Sequence, residues 1–198
     1  MLSGTLPWYV ARISGLLAWA LLSASVALGL LLATRVLGPS PRPAVLLRLH
    51  RRLATASLWF VGLHLAGILL DTYVQFSLAD LFVPLASRWH PVAVAWGVVS
   101  FYLLAAVAVT SLAFRLLPQA ARRLWRPVHL SSHALFAVST IHLLAAGTDA
   151  GNVLIRPVVA AVSAGIAVLA VMGAAGRRVP SHQLRNPAAT IRLNGSVR

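Results

Sequence analysis

Four histidines in this chain of 198 residues fall into two pairs inside apolar stretches: His50 with His64, and His129 with His142. The separations are 14 and 13 residues. At about 1.5 Å rise per residue each pair spans roughly 20 Å of helix, most of the way across a hydrocarbon core of about 30 Å. A neutral imidazole ligates haem iron through one ring nitrogen. Two helices that each carry a histidine near one membrane face and another deeper can hold two haems, one above the other. With two histidines on each iron no position stays open, which favours electron transfer over oxygen binding. Ionisable side chains inside a span are costly, and that makes them functional candidates by default.

Composition sets the setting for these residues. Hydrophobic residues make up 59% of the chain and charged residues only 10%; mean hydropathy is +0.83. A soluble domain carries about 25% charged residues, so the composition is that of an integral membrane protein. The basic residues number 17, all arginine, against three acids, Asp71, Asp80 and Asp149. A net charge of +14 raises the question of nucleic acid, but the arginines lie between apolar segments, and membrane topology accounts for that better than a basic groove. The absence of cysteine excludes disulfides, thiolate-held iron–sulfur clusters and thiol catalysis. The N-terminal stretch does not read as a cleavable signal, because the apolar run after Arg12 is too long.

The expected fold class is all-α, a membrane bundle of five helices. Five stretches lack Asp, Glu, Lys and Arg: Ile13–Ala33, Leu53–Leu70, Pro91–Phe114, Pro127–Thr148 and Pro157–Gly176. They are 21, 18, 24, 22 and 20 residues long, and a span takes about 20. Proline opens three of them, where its missing N–H costs little. Arginine bias predicts the orientation. The connection after span 1 holds Arg35, Arg42, Arg48, Arg51 and Arg52; that after span 3 holds Arg115, Arg122, Arg123 and Arg126; the C-terminal tail holds Arg177, Arg178, Arg185, Arg192 and Arg198. The opposite side holds Arg12, Arg88, Arg156 and the three aspartates. The positive-inside rule then puts the N-terminus outside and the tail in the cytoplasm. Residues 1–178 read as one transmembrane domain and 179–198 as a short polar tail expected to be disordered. Residues 38–43 carry three prolines and read as non-helical. Residues 71–90 read as an outer connection with a short amphipathic helix formed by Phe76, Leu78, Leu81, Phe82 and Leu85. Gly15, Ser23, Ser25 and Gly29 in span 1 suit close helix packing.

Alternating spans make spans 2 and 4 parallel. His50 and His129 then share one level near the cytoplasmic face, and His64 and His142 share a second. Helical phase tests this pairing. Fourteen residues return within about 40° of the same face, whereas thirteen leave His142 about 220° from His129 on an ideal helix. Span 4 must therefore kink, bulge or tilt. The bland reading of an intramembrane histidine is a hydrogen bond to a neighbouring helix. It suits His133, which shares a face with His129, for a supporting or packing role. His90 reads as interfacial and His182 as solvated. Arg48, Arg51, Arg52 and Arg126 are placed to meet anionic propionates at the cytoplasmic level, or merely to set topology. Arg88, or Thr148 beside Asp149, is placed for the outer level. Trp59 and Phe136 lie midway between the levels on their own helices, for packing or for electronic coupling. Asp71 and Asp149 end the outward spans, as interfacial caps or as attractors for a cation. No nucleophile with its base and no carboxylate pair appears, so any chemistry belongs to the haem iron.

The spacing His50-x13-His64 and His129-x12-His142 resembles the ferric reductase-like transmembrane domain, a superfamily that includes the NADPH oxidases and the haem-binding subunit of periplasmic methionine sulfoxide reductase. Leu49-His50-Arg51 leading to Leu63-His64, and Trp125-Arg-Pro-Val-His129 leading to Ile141-His142 and Asp149, are similar to its small bacterial members. The resemblance covers about residues 8–175. It implies two b-type haems, axially held by His50, His129, His64 and His142 in the pairs above, with Arg51 and Arg126 beside the cofactor. Larger members carry an FAD- and NADPH-binding module with Gly-rich phosphate loops; the chain stops about 20 residues after span 5 without one. The expectation is one component of a redox system in a bacterial plasma membrane, an oxidoreductase subunit rather than a full enzyme. It would be fed by a cytoplasmic flavoprotein or a membrane quinol, and it would pass electrons to ferric iron, oxygen or an extracytoplasmic partner. The rival is a haem-free scaffold or transporter whose histidines are polar glue or a proton path.

Overall fold

The computed structural model describes residues 6–36, 42–114, 116, 118–147 and 151–176. These form seven helices: α1 Leu6–Thr34, α2 Pro43–Leu70, α3 Leu78–Phe82, α4 Pro91–Leu112, α5 Gln119–Leu130, α6 Ser132–Ala146 and α7 Ile155–Gly176. Five spans result, because α5 and α6 join into one segment, Arg122–Ala146, of sufficient length and hydropathy to cross a bilayer. Only 11% to 22% of the most apolar window of each span is buried. Apolar helices that bury so little against each other present the rest to lipid, and the chain is a multi-pass membrane protein.

The helices run past the uncharged stretches that mark them in the sequence. Helix α2 begins at Pro43, whose fixed φ and missing N–H suit the first turn. Arg48, Arg51 and Arg52 are therefore helical rather than in a connection, and Pro43 starts a helix rather than ending a loop. Pro91 opens α4 as expected, but Pro127 lies inside α5 and Pro157 is the third residue of α7. The amphipathic helix of the 71–90 connection shrinks to the five residues of α3. Ser77 and Asp80 close it in a reciprocal capping box, and Leu81 is its buried residue. Thr148, Asp149, Arg115, Arg177, His182 and the rest of the tail lie outside the described residues.

Two antiparallel hairpins carry the architecture. Helix α2 folds back on α1, and α5–α6 folds back on α4. At Gly67 an added Cβ would lie 2.6 Å from the Ala11 nitrogen, so α1 and α2 meet backbone to backbone. The hairpins join through α1 and α6: Trp19 Nε1–H donates to Thr140 Oγ1 at 2.9 Å, and the Trp19 and Phe136 rings stack at 6.3 Å between centroids. Val26, Leu30, Val159 and Ile166 complete this buried cluster and seat α7 against α1. Helices α2 and α6 run parallel, as alternating topology requires, yet they pack on α1 and α4 rather than on each other.

Candidate functional site: two facing histidine pairs

The structure brings together the four histidines that spacing singled out, in the pairs assigned by level. The His50 and His129 ring centroids lie 6.1 Å apart, and those of His64 and His142 lie 6.4 Å apart. A metal–imidazole bond is about 2 Å, and a five-membered ring with bonds of about 1.33 Å has a radius of roughly 1.1 Å. One metal ion shared by two opposed imidazoles therefore sets the centroids about 6.3 Å apart. Both observed separations match that value. The rings of each pair stand edge to face, with 68° and 79° between planes, and an ordinary edge-to-face ring contact falls in the same range, about 4.5–7 Å.

Phase, the weak point in span 4, is resolved by a break. Helix α5 ends at Leu130 and α6 starts at Ser132. At the junction Ser131 N–H divides between the carbonyls of Pro127, at 3.2 Å, and Val128, at 3.1 Å. Ser131 Oγ–H donates back to Val128 O at 2.6 Å, a side-chain competition that bends helices. Pro127, which has no N–H to give to the preceding turn, adds to the local weakness. The break lies between His129 and His142 and lets both face α2. His133 Nδ1–H donates to Leu130 O, 2.9 Å away, at this junction. This bond satisfies a carbonyl of the broken helix rather than either histidine pair.

Three of the four rings are aimed by a backbone carbonyl of the helix behind them. His64 Nδ1–H donates to Ala11 O at 2.7 Å, His50 Nδ1–H to Ser25 O at 2.8 Å and His142 Nδ1–H to Ala93 O at 2.8 Å. A carbonyl only accepts, so these bonds fix the tautomer: the proton is on Nδ1 and the lone pair is on Nε2, free to ligate. Four residues after each carbonyl comes a glycine. An added Cβ at Gly15 would lie 2.8 Å from His64 Nδ1, at Gly97 2.7 Å from His142 Cε1, and at Gly29 3.5 Å from His50 Cε1. The rings of His64 and His142 thus occupy space that any other side chain would take. These cradles recur 14 residues apart on α1, Ala11/Gly15 then Ser25/Gly29, in step with His64 and His50 on the antiparallel α2. The packing role expected of Gly15, Ser25 and Gly29 is therefore directed at histidine. Ala11, Ala93 and Gly97 escaped the sequence reading, although the 14-residue echo of a small residue followed four later by glycine was present as a signal.

A cavity of about 270 Å³ opens between the hairpins at the His64/His142 level. Gly15, Leu22, Ser57, Gly97 and Leu135 line its body, and Phe76, Leu81 and Trp89 of the connecting segment line its end. Ser57 and Leu135, the most enclosed side chains, sit between the two levels. Phe136 is buried against Trp19, but Trp59 is 74% exposed and turns to lipid, so it does not stand between the pairs. Arg12, one residue after the Ala11 carbonyl, lines the cavity end with the buried Asp71; sequence reading used Arg12 only for topology. Arg88 is exposed on the connecting segment. Arg48, Arg51, Arg52 and Arg126 are exposed at the other end, beside the His50/His129 level. Arg51 adjoins His50, and Arg126 shares the helical face of His129 at a separation of three. His90, in a left-handed conformation before Pro91, packs edge-on to Trp89 at 4.6 Å away from both pairs.

Among the described residues no three or more His, Cys, Asp or Glu side chains converge on one metal ion. Two-coordinate protein sites suit a metal whose other ligands come from a macrocycle. No family model, no curated protein and no solved structure matches the chain.

Proposed function

We propose that this chain is a di-haem b-type membrane cytochrome of the ferric reductase-like kind, an electron-transfer component of a bacterial plasma membrane. The observation that carries the reading is the recurrence of one pairing at two levels, with centroid separations of 6.1 and 6.4 Å that a shared metal ion would fit, and with carbonyl bonds that leave the Nε2 lone pairs of His50, His64 and His142 to ligate. His50 with His129, and His64 with His142, would hold the two irons. Haem iron between two imidazoles supplies one-electron transfer. The chain's own residues do the rest: backbone carbonyls and glycines of α1 and α4 aim three of the imidazoles, apolar side chains exclude water, and Arg48, Arg51, Arg52 and Arg126 would offer cations to the propionates.

Arginine bias puts His50/His129 near the cytoplasm and His64/His142 near the outer face. A cytoplasmic flavoprotein or a membrane quinol is then the donor, and ferric iron, oxygen or an extracytoplasmic redox protein the acceptor. The haem-free scaffold remains the rival, because carbonyl-bonded histidines also tie helices together. It accounts for the Nδ1 bonds and for either ring contact taken alone, but gives no reason for the same pairing to recur at two levels. Liposomes containing the haem-loaded protein and entrapped ferricyanide provide the test. External dithionite should reduce the entrapped ferricyanide through the native protein and not through His64→Ala. Equal rates in both, or none in the native protein, would overturn electron transfer across the membrane.

A further inference from the structure

Three of the four histidines have a backbone carbonyl, four residues before a glycine, against Nδ1, and the fourth does not; of the three, His50 has the Ser25 hydroxyl at 3.1 Å as well as the Ser25 carbonyl at 2.8 Å. On α4, 14 residues after Ala93 and Gly97, stand Val107 and Ser111. Ser111 therefore occupies the position where a fourth glycine would complete the pattern. Its hydroxyl, not a carbonyl, is the group beside His129 Nδ1, and the distance is 3.4 Å rather than 2.7–2.8 Å. Trp125 Nε1–H donates to the same oxygen at 3.3 Å, and its indole stacks on the His129 ring at 4.8 Å with 22° between planes.

These contacts differ in kind from the cradle. A carbonyl can only accept and so commits the imidazole to the ligating tautomer. A hydroxyl can accept or donate, and leaves His129 free to place its proton on either nitrogen. A contact of 3.4 Å is also beyond the usual range of a strong N–H···O bond, about 2.7–3.2 Å. The donor end of Trp125 further occupies one of the two lone pairs that Ser111 offers. From this we infer that Ser111 and Trp125 are the positioning residues of His129, and that they make the His50/His129 level the more exchangeable of two haem sites. The inference rests on the cytochrome reading. Partners of this type orient a ligating imidazole and raise its basicity, and their loss changes metal affinity by about 10–100-fold. They also tune the reduction potential, since a more basic imidazole stabilises the oxidised iron.

The test is haem transfer from the detergent-purified holoprotein to excess apoglobin, followed by absorbance, together with a redox titration. The native protein should lose one haem per chain about tenfold faster than the other. Ser111→Ala removes the hydroxyl but keeps the Cβ; the fast phase should quicken further and the midpoint potential of that haem rise. Ser111→Gly lets the His129 ring settle toward the Val107 carbonyl; the fast phase should slow toward the other and the potential fall. Ser111→Thr, which keeps the hydroxyl, should resemble the native protein. A second haem unmoved in all three variants shows that the effect is local. Equal loss of both haems from the native protein, or Ala and Gly variants shifted in the same direction, would overturn the inference while leaving the cytochrome intact. A native protein with no haem would defeat both.

Discussion

At the scale of single residues, the account turns on four imidazoles and the small residues beneath them. A polar contact between membrane helices contributes only about 0.6–1.7 kcal/mol, so alanine in place of one histidine should leave the bundle folded. His64→Ala or His142→Ala should halve the haem content without lowering the yield of monodisperse protein, as counted by pyridine haemochrome. Gly97 gives a sharper probe. A Cβ there would lie 2.7 Å from His142 Cε1, so Gly97→Ala should displace the ring and cost the haem of that level. Gly62 has nothing within 4 Å of its would-be Cβ; Gly62→Ala should keep both haems, with helix stability unchanged or raised by up to about 1 kcal/mol. Histidines were legible in the sequence because a titratable group in an apolar run has few structural excuses. Ala11, Ala93 and Gly97 were not, since alanine and glycine are common in membrane helices and a backbone carbonyl leaves no mark on sequence.

At the scale of elements, the broken fourth span is the feature that spacing alone could not deliver. Thirteen residues on an ideal helix put His142 on the wrong face, and that arithmetic correctly demanded a distortion. Its place, at Ser131, depends on competition among hydrogen bonds around Pro127 and Val128 that no periodicity reveals. Restoring a regular helix with Pro127→Ala and Ser131→Ala together should turn the two histidines apart. One haem should be lost while helix content by circular dichroism holds or rises. The short helix α3 has its own signature. Hydrogen bonds from the Ser77 side chain, then from its backbone, hold the Asp80 carboxyl below its ordinary 3.8. A depressed carboxylate contributes stability that is complete above that value and is lost as pH falls through the lower folded one. Amide exchange over residues 77–82 should therefore be flat from about pH 5 to 8 after correction for intrinsic rates, and protection should fall below about pH 4. Asp80→Asn should remove that dependence without touching either histidine pair.

At the scale of the whole molecule, five spans and the parallel course of α2 and α6 were readable from hydropathy and alternation. What escaped was the twofold plan: one hairpin with its histidines on the returning helix, repeated. The two copies share little sequence beyond small residues and histidine at matched spacing, and the break in α5–α6 offsets even that by one residue. The cleft between the hairpins follows from this plan, because each histidine helix leans on its own partner and leaves the other histidine helix a cofactor's distance away. A haem-free scaffold would have no reason to keep that cleft open. The visible spectrum of the detergent-purified protein, with haem counted against protein, tests this most directly. Two b-type haems per chain with a low-spin, six-coordinate spectrum are the predicted result, falling to one on loss of either level's histidine. Protein expressed with ample haem that shows no visible absorbance, or absorbance that survives alanine at both His64 and His50, would contradict the account.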